Sequence, residues 1–262
     1  MYLSYRGLLV RVASEGERKV PQLITDKDKE YLRRVFTERL RKPVTILFFT
    51  REQDCPLCKE TRQFLDELVA LSELLRLEVH ELPADDAVAK QHGIDKVPAI
   101  KLRGEQDFGV RYFGIPMGYE FVAIVEDIID VSWGTANLPA KAMELVLAID
   151  KPVHIQVFVS PTCPYCPQAV RAAHKFAILN ELVTADMVEV TEFPEVAKRY
   201  EVQGVPRTVA NETSVMVGAY PDTALAQFAY FASQGKPAAG PGKGEMSGVA
   251  PSTQVTPVKL EE

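Results

Sequence analysis

When hydrophobic and polar positions are marked along the chain, two stretches read alike. Residues 44–50 and 153–160 are β-branched and aromatic runs of strand length with little polar interruption, the pattern of strands buried on both faces. Each run is followed by a Cys-x-x-Cys tetrapeptide and then by apolar positions at helical spacing. In the first half these are Phe64, Leu65, Leu68, Val69, Leu71 and Leu75, and in the second Val170, Ala173, Phe176, Ala177 and Leu179. The pattern next predicts a short strand at 77–82 and 187–191, a short helix at 86–91 and 195–200, and a strand at 99–102 and 208–210. An edge strand ending at a glycine and a helix at 119–130 or 223–232 close each half. An extra helix opens each half, at 27–41 with Thr25 or Asp26 as N-cap, and at 140–149. The order is β-α-β-α-β-β-α twice. Its first βαβ unit requires parallel pairing by a right-handed crossover, and its last two strands form a hairpin.

The two halves keep a common register. The first cysteines, Cys55 and Cys163, lie 108 residues apart, and so do Pro98 and Pro206 in Lys96-Val97-Pro98 and Gly204-Val205-Pro206. Tyr112-Phe113-Gly114 and Val217-Gly218 are a third landmark in the same order. A duplicated unit follows, with domains expected at 1–134 and 135–234 and a seam near Trp133–Pro139. Residues 235–262 are rich in Gly, Pro, Ser and Thr and are expected to form a disordered tail. The Gly240-x-Gly242-x-Gly244 in that tail follows no strand and opens no helix, so it is no phosphate loop.

Composition narrows the function. The 262 residues are 47% apolar and 25% charged with a net charge of −6, the balance of a folded globular protein without the basic stripe that nucleic acid requires. No apolar run approaches the roughly 20 residues of a membrane-spanning helix. The N-terminal apolar stretch is short and lacks a small-residue cleavage site, so a cytoplasmic location is expected. In a reducing cytosol, four cysteines confined to two Cys-x-x-Cys pairs indicate redox catalysis or metal binding. Zinc knuckles normally lie about 15–20 residues apart, whereas more than a hundred separate these. A Cys-x-x-Cys disulfide also closes too short a loop to stabilise a fold much. Redox catalysis is therefore the leading reading, with no metal and no cofactor called for. His80, His92, His154 and His174 match no ligand spacing, although His154 lies in the strand feeding the second pair. The Asn211-Glu-Thr213 sequon carries little meaning in the cytosol.

Placement supplies the chemistry. Pro56 and Pro164 suit the first position of a helix, which puts Cys55 and Cys163 at the cap, facing the positive end of the dipole. Such a setting lowers a thiol pKa from about 8.5 into the range of roughly 3.5–7.5. Cys58 and Cys166, one turn later, would resolve the mixed disulfide. The flanks differ, however. Arg51, Glu52, Asp54, Lys59, Glu60 and Arg62 surround the first pair, while the nearest charge to the second is Arg171. Asp54 opposes ionisation of Cys55, so Cys163 is expected to be the more acidic thiol and the main nucleophile. Tyr165, between the second pair's cysteines, is expected at the surface within reach of substrate.

The ordering and these motifs resemble thioredoxin and glutaredoxin. Cys163-Pro164-Tyr165-Cys166 is the glutaredoxin tetrapeptide as it stands, and Gly204-Val205-Pro206 resembles the cis-proline loop of that superfamily. Two such halves, each with its own pair, are similar to the protein disulfide oxidoreductases of thermophilic archaea and bacteria, over about residues 20–234. The resemblance implies an α/β fold of two tandem thioredoxin-like domains, each a central mixed four-stranded sheet flanked by helices. It implies an enzyme exchanging dithiols and disulfides with protein substrates, with a thioredoxin reductase as reductant. It also implies cis Pro98 and Pro206 facing the cysteines, and Val97 and Val205 pairing with an extended substrate strand. One departure is that the strands before the cysteines hold no buried Asp as proton acceptor. Glu52 or Asp54 are candidates at the first site, and nothing obvious serves the second. Other readings are an electron donor to a peroxidase, or a non-enzymatic peptide-binding or zinc-held scaffold. The twin-thioredoxin segment of the alkyl hydroperoxide reductase flavoprotein is a similar donor, but has one cysteine pair and a fused flavin domain.

Overall fold

The two buried runs form strands, and the chain folds around them. The computed structural model describes residues 22–236. The N-terminal stretch read for location, and all of the expected tail beyond residue 236, lie outside the described residues. The first half comprises α1 (Asp26–Arg39), β1 (Val44–Thr50), α2 (Cys58–Val69), β2 (Leu75–Glu81), α3 (Asp86–Gln91), β3 (Ala99–Arg103), β4 (Asp107–Phe113), a 3-10 turn (Gly118–Glu120) and α4 (Phe121–Trp133). The second comprises α5 (Ala140–Leu147), β5 (Val153–Val159), α6 (Cys166–Leu179), β6 (Val183–Glu189), α7 (Pro194–Arg199), β7 (Arg207–Ala210), β8 (Ser214–Val217) and α8 (Asp222–Ser233). Thr25 is the N-cap of α1. Its hydroxyl accepts from the Asp28 N–H at 3.2 Å and donates to the Asp28 carboxylate at 2.7 Å, which satisfies a donor the helix cannot use internally. α4 ends at Gly134, whose φ of 69° is the left-handed cap that glycine adopts without penalty.

The eight strands form one mixed sheet in the order β2-β1-β3-β4-β6-β5-β7-β8. Within each half, the strand preceding the cysteines pairs in parallel with the next strand and antiparallel with the third. The hairpins β3–β4 and β7–β8 follow as expected. One face of the sheet carries α1, α2, α4, α5, α6 and α8 over the larger core. The other carries α3 and α7 over a smaller cluster built on Leu47, Phe49, Phe113, Phe158 and Val188.

One expectation is corrected. The pattern places the last strand of the first half at an edge, but β4 pairs in parallel with β6, with Val110 opposite Ala185 and Phe113 opposite Val188. The halves are thereby fused through the sheet. Charge explains both the mistaken reading and the pairing. Arg111 is a poor residue for a buried strand, yet its Nε donates to Asp186, its register partner on β6, at 2.6 Å. Its Nη1 donates to the Gly93 carbonyl at 2.9 Å, and the other Asp186 oxygen lies 2.6 Å from His154 Nε2. On the opposite face Tyr112, Arg171 and His174 all reach the Asp127 carboxylate, and Arg171 also meets Asp130 at 2.5 Å. The seam is thus clamped on both faces by carboxylates with several donors each.

Buried ionic groups are costly unless paired, and removing one partner of such a pair costs about 3–5 kcal/mol. Asp186→Ala strips Arg111 of its partner and should lower stability by about that amount. Asp66→Ala removes the exposed Arg62–Asp66 pair and should cost less than about 1 kcal/mol. Burial alone would raise the Asp186 pKa, but His154 and Arg111 outweigh it and hold the group below the usual carboxylate range. Its contribution is therefore present above that range and lost as pH falls through it. Denaturant midpoints at neutral and acid pH check this. Asp186→Ala should lose less stability on acidification than the parent protein, and an equal loss would contradict the assignment.

Candidate active site

β1 and β5 run in the same direction, since the steps between them are two antiparallel and two parallel pairings. Both cysteine pairs therefore lie along one edge of the sheet. Cys55–Cys58 and Cys163–Cys166 are disulfides with Cα–Cα distances of 5.4 and 5.6 Å. The inner cysteines Cys58 and Cys166 are buried, as is Cys163 at 8% exposure, while Cys55 is partly exposed. Tyr165 is 62% exposed beside the second pair.

The helices start later than the prolines indicate. Cys58 and Cys166 are the first residues of α2 and α6, with Leu57 and Tyr165 at the N-caps. Pro56 and Pro164 fall in a preceding turn, closed by bonds of 3.4 Å from Cys58 N to the Cys55 carbonyl and from Cys166 N to the Cys163 carbonyl. The cause is this i→i+3 closure, which takes the place of the first helical bond. The inner cysteines thus occupy the helix starts, and the outer ones lie one turn ahead, Cys55 partly exposed and Cys163 buried.

The Val97–Pro98 and Val205–Pro206 peptide bonds are cis, as is Leu82–Pro83, which the sequence did not single out. β3 and β7 begin directly after Pro98 and Pro206, and their antiparallel registers put Ala99 opposite Phe49 and Arg207 opposite Phe158. Each proline loop therefore sits beside the end of the strand that carries the cysteines. At the second site Cys163 Sγ lies 3.8 Å from the Val205 carbonyl oxygen. The described residues bring Val205, Pro206 and Tyr165 to the second pair, and Val97 and Pro98 to the strand end beside the first.

A buried acid that the sequence reading missed is Glu120. Residues 114–120 form a strap between the two sites. Gly114 N donates to the Pro98 carbonyl at 3.0 Å, and Ile115 N donates to Glu192 at 2.7 Å. Tyr119 N donates at 3.1 Å to the carbonyl of Pro161, two residues before Cys163. Gly118, at φ 65°, passes so close that an added Cβ would lie 2.4 Å from the Pro161 oxygen. Glu120 follows at 2% exposure, and neither carboxylate oxygen has a hydrogen-bond partner among the described residues. Burial pushes its pKa up to about 8, so it is protonated at neutral pH. Glu192 is raised to about 7, by burial and by the charge of Glu189, against the stabilising Ile115 N–H. The signals available in the sequence were Gly114, Pro116 and Gly118, which mark a tight strap, but nothing local marks its contact with Pro161 of the other half.

Glu52 and Asp54, the candidates at the first site, are exposed. Asp54 adopts a positive φ of 56°. Of the histidines, His154 joins the Arg111–Asp186 cluster, His174 is buried on Asp127, His80 meets Glu78 at 3.0 Å, and His92 lies 3.5 Å from Asp107. Among the described residues no group of three or more His, Cys, Asp or Glu side chains is placed to hold a metal ion, and no helix is long and apolar enough to cross a membrane.

Residues 153–227 match the thioredoxin domain family. Across the chain, the AhpF component of alkyl hydroperoxide reductase from Xanthomonas campestris pv. phaseoli is 26% identical over 176 residues, 67% of this chain and 31% of that protein. A Bacillus subtilis protein named NADH dehydrogenase is 26% identical over 157 residues, 60% of this chain and 28% of that one. The chain thus spans about a third of the length of these curated relatives. Among solved structures, a protein disulfide oxidoreductase from Aeropyrum pernix superposes with a TM-score of 0.75 at 27% identity, covering 82% of this chain and 96% of that one. The AhpF component of Enterococcus faecalis alkylhydroperoxide reductase superposes with a TM-score of 0.74 at 29% identity, covering 79% of this chain and 100% of that one. The chain is an α/β protein of two tandem thioredoxin-like halves joined in one sheet, with a match to the thioredoxin domain family at 153–227 and a likeness over 82% of its length to a protein disulfide oxidoreductase.

Proposed function

We propose that the protein is a thiol–disulfide oxidoreductase that exchanges dithiols and disulfides with protein substrates at both cysteine pairs. The observation that carries this reading is one assembly built twice on one sheet edge. In each copy a Cys-x-x-Cys disulfide lies at the end of a buried strand, its inner cysteine starts a helix, and a Val-Pro loop stands beside it. In the reducing direction, the thiolate of the outer cysteine attacks a substrate disulfide, and the departing substrate sulfur takes a proton. The inner cysteine then attacks the mixed disulfide, releasing the second substrate thiol and leaving the disulfide found here. Two electrons and two protons pass to the substrate. Oxidation runs the same steps backward.

Val97 and Val205 supply backbone for an extended substrate, Pro98 and Pro206 shape the floor, and Tyr165 offers an exposed ring beside the second pair. Glu120 is the proton carrier of the second site in this reading. Its loop is bonded to the loop of Cys163, and as a buried acid it can give and take a proton near neutral pH. Among the described residues the acids beside the first pair, Glu52 and Asp54, are exposed, and in this reading Cys163 is the main nucleophile. A reducing cytoplasm, with a thioredoxin reductase returning the pairs to dithiols, is the setting the proposal assumes. The likeness to the AhpF component of alkyl hydroperoxide reductase supports a second reading, a dithiol donor to a peroxidase. A cysteine pair in each half favours the general exchanger.

Insulin reduction with a supplied dithiol tests the proposal. The wild type should turn over, Cys163→Ser should lose activity by at least about tenfold, and Cys55→Ser should lose less. A silent wild type ends the enzymatic reading, and peptide binding that survives both changes without any reduction by the wild type would mark a peptide-binding scaffold. Glu120 provides a second test. Folded, it holds its proton to about pH 8, against an ordinary value of 4.5. The folded state therefore binds more protons between those limits, and stability falls as pH rises through them. Glu120→Gln should flatten that fall in denaturation series across the window, and should slow turnover at the second site by about 10²-fold. An unchanged slope together with unchanged turnover would remove Glu120 from the mechanism.

A further inference from the structure

α1 and α2 lie side by side on the outer surface of the first half and leave between them an open cleft of about 610 Å³. Its walls carry Lys29 and Arg33 from α1, and Lys59, Arg62, Asp66 and Glu67 from α2. Both carboxylates are already engaged. Glu67 meets Lys29 at 2.9 Å and also accepts from Leu23 N and Ile24 N, each at 3.0 Å. Asp66 pairs with Arg62 at 2.9 Å. Arg33 and Lys59 have no acidic partner among the described residues, so the cleft holds four cations against two carboxylates, in a chain of net charge −6. It begins at the chemistry, because Lys59 directly follows Cys58 at the start of α2.

The second half has no equivalent. The corresponding stretch of α6 is Pro167, Gln168 and Ala169, and its first cation, Arg171, is turned inward onto Asp127 and Asp130. Resting on the exchange function proposed above, we infer that the α1–α2 cleft docks an acidic segment of the disulfide-bearing protein that reacts at Cys55–Cys58, so that the two sites serve partners of different charge. The ligand groups are side-chain carboxylates, received by the Arg33 guanidinium and the Lys59 ammonium, the two cations with no internal claim on them. The cleft follows α2 from Lys59 to Ala70, roughly 16 Å at 1.5 Å per residue. An extended partner reaches along it with acids within about five residues of its reactive cysteine, at about 3.3 Å per residue.

The test uses the full chain with one pair left intact, either Cys163→Ser with Cys166→Ser or Cys55→Ser with Cys58→Ser. The probes are synthetic peptide disulfides flanked by four Asp, four Ser or four Lys, reduced in the presence of dithiothreitol at low ionic strength. The chain keeping Cys55–Cys58 should show a kcat/KM about 5–10-fold higher for the Asp peptide than for the Ser peptide, falling as salt is raised. Arg33→Glu with Lys59→Glu should abolish or invert that ratio. Because the ratio compares two peptides on one protein, it cancels any change in the intrinsic reactivity of Cys55. The chain keeping Cys163–Cys166 should show no preference for the Asp peptide. A ratio near one at the first site, or a preference that survives the double reversal, overturns the inference. So does a preference removed by inorganic phosphate at constant ionic strength, which would mark a small-anion site instead. If neither single-pair chain reduces any peptide, the exchange function itself fails.

Discussion

Arg111 and Asp186 face each other across two strands from different halves, the arginine side chain 10% and the aspartate 3% exposed. Either one alone, so far from water, would cost several kcal/mol, so the strands tolerate them only as a pair. That mutual requirement sets which strands meet and in which register. A one-residue slip would send Arg111 to the opposite face from its partner. With β4 and β6 joined in parallel, the two four-stranded units become one eight-stranded sheet, and the direction of β5 is tied to that of β1. The placement of both cysteine pairs on one edge follows from the seam, which the second clamp at Asp127 reinforces.

The seam also explains why the duplicated sites are not equivalent. The strap from Gly114 to Glu120 leaves the first half, touches the Pro98 carbonyl at its start, and reaches the Pro161 carbonyl near its end. The strap thereby brings the segment that carries the buried Glu120 against the loop that precedes Cys163. The matching stretch after β8 follows a different path. Gly218 N bonds the Pro206 carbonyl at 2.8 Å, as Gly114 N bonds that of Pro98, but the chain then passes directly into α8. The strap of the first half therefore meets the loop before Cys163, whereas the matching stretch of the second half runs into its own helix α8.

Much of this was legible in the chain, for local reasons. Val44–Thr50 and Val153–Val159 are apolar enough to declare buried strands, and Cys-x-x-Cys followed by helical periodicity declares where each site begins. Thr25 and Gly134 declare their caps by residue type. What escaped was whatever two distant segments decide together. β6 begins at Val183, four residues earlier than the pattern indicates, because Thr184 and Asp186 read as polar. Only Arg111, 75 residues away, makes Asp186 an interior residue. Glu120 similarly reads as an acid near a helix start, a common solvent-exposed position, yet it is buried in a strap whose Gly118 and Tyr119 meet Pro161 of the other half. The helix starts at Cys58 and Cys166 escaped for a smaller reason, a turn closure that proline alone does not reveal.

The common direction of β1 and β5 limits the path of electrons. From β1 to β5 the sheet takes four steps, through β3, β4 and β6. At about 4.8 Å per step this sets the two disulfides roughly 19 Å apart along the same edge. Sulfur-to-sulfur exchange needs contact, so within one rigid sheet neither pair can reduce or oxidise the other. Electrons passing between them need a courier, and the edge defines its dimensions. An unfolded polypeptide with about six or more residues between its cysteines spans that gap at about 3.3 Å per residue. Such a chain is long enough to hand an electron pair from one site to the other without being released, whereas a small disulfide must dissociate and diffuse. Under the exchange function proposed above, that spacing would set the least separation of cysteines in a chain that bridges both sites.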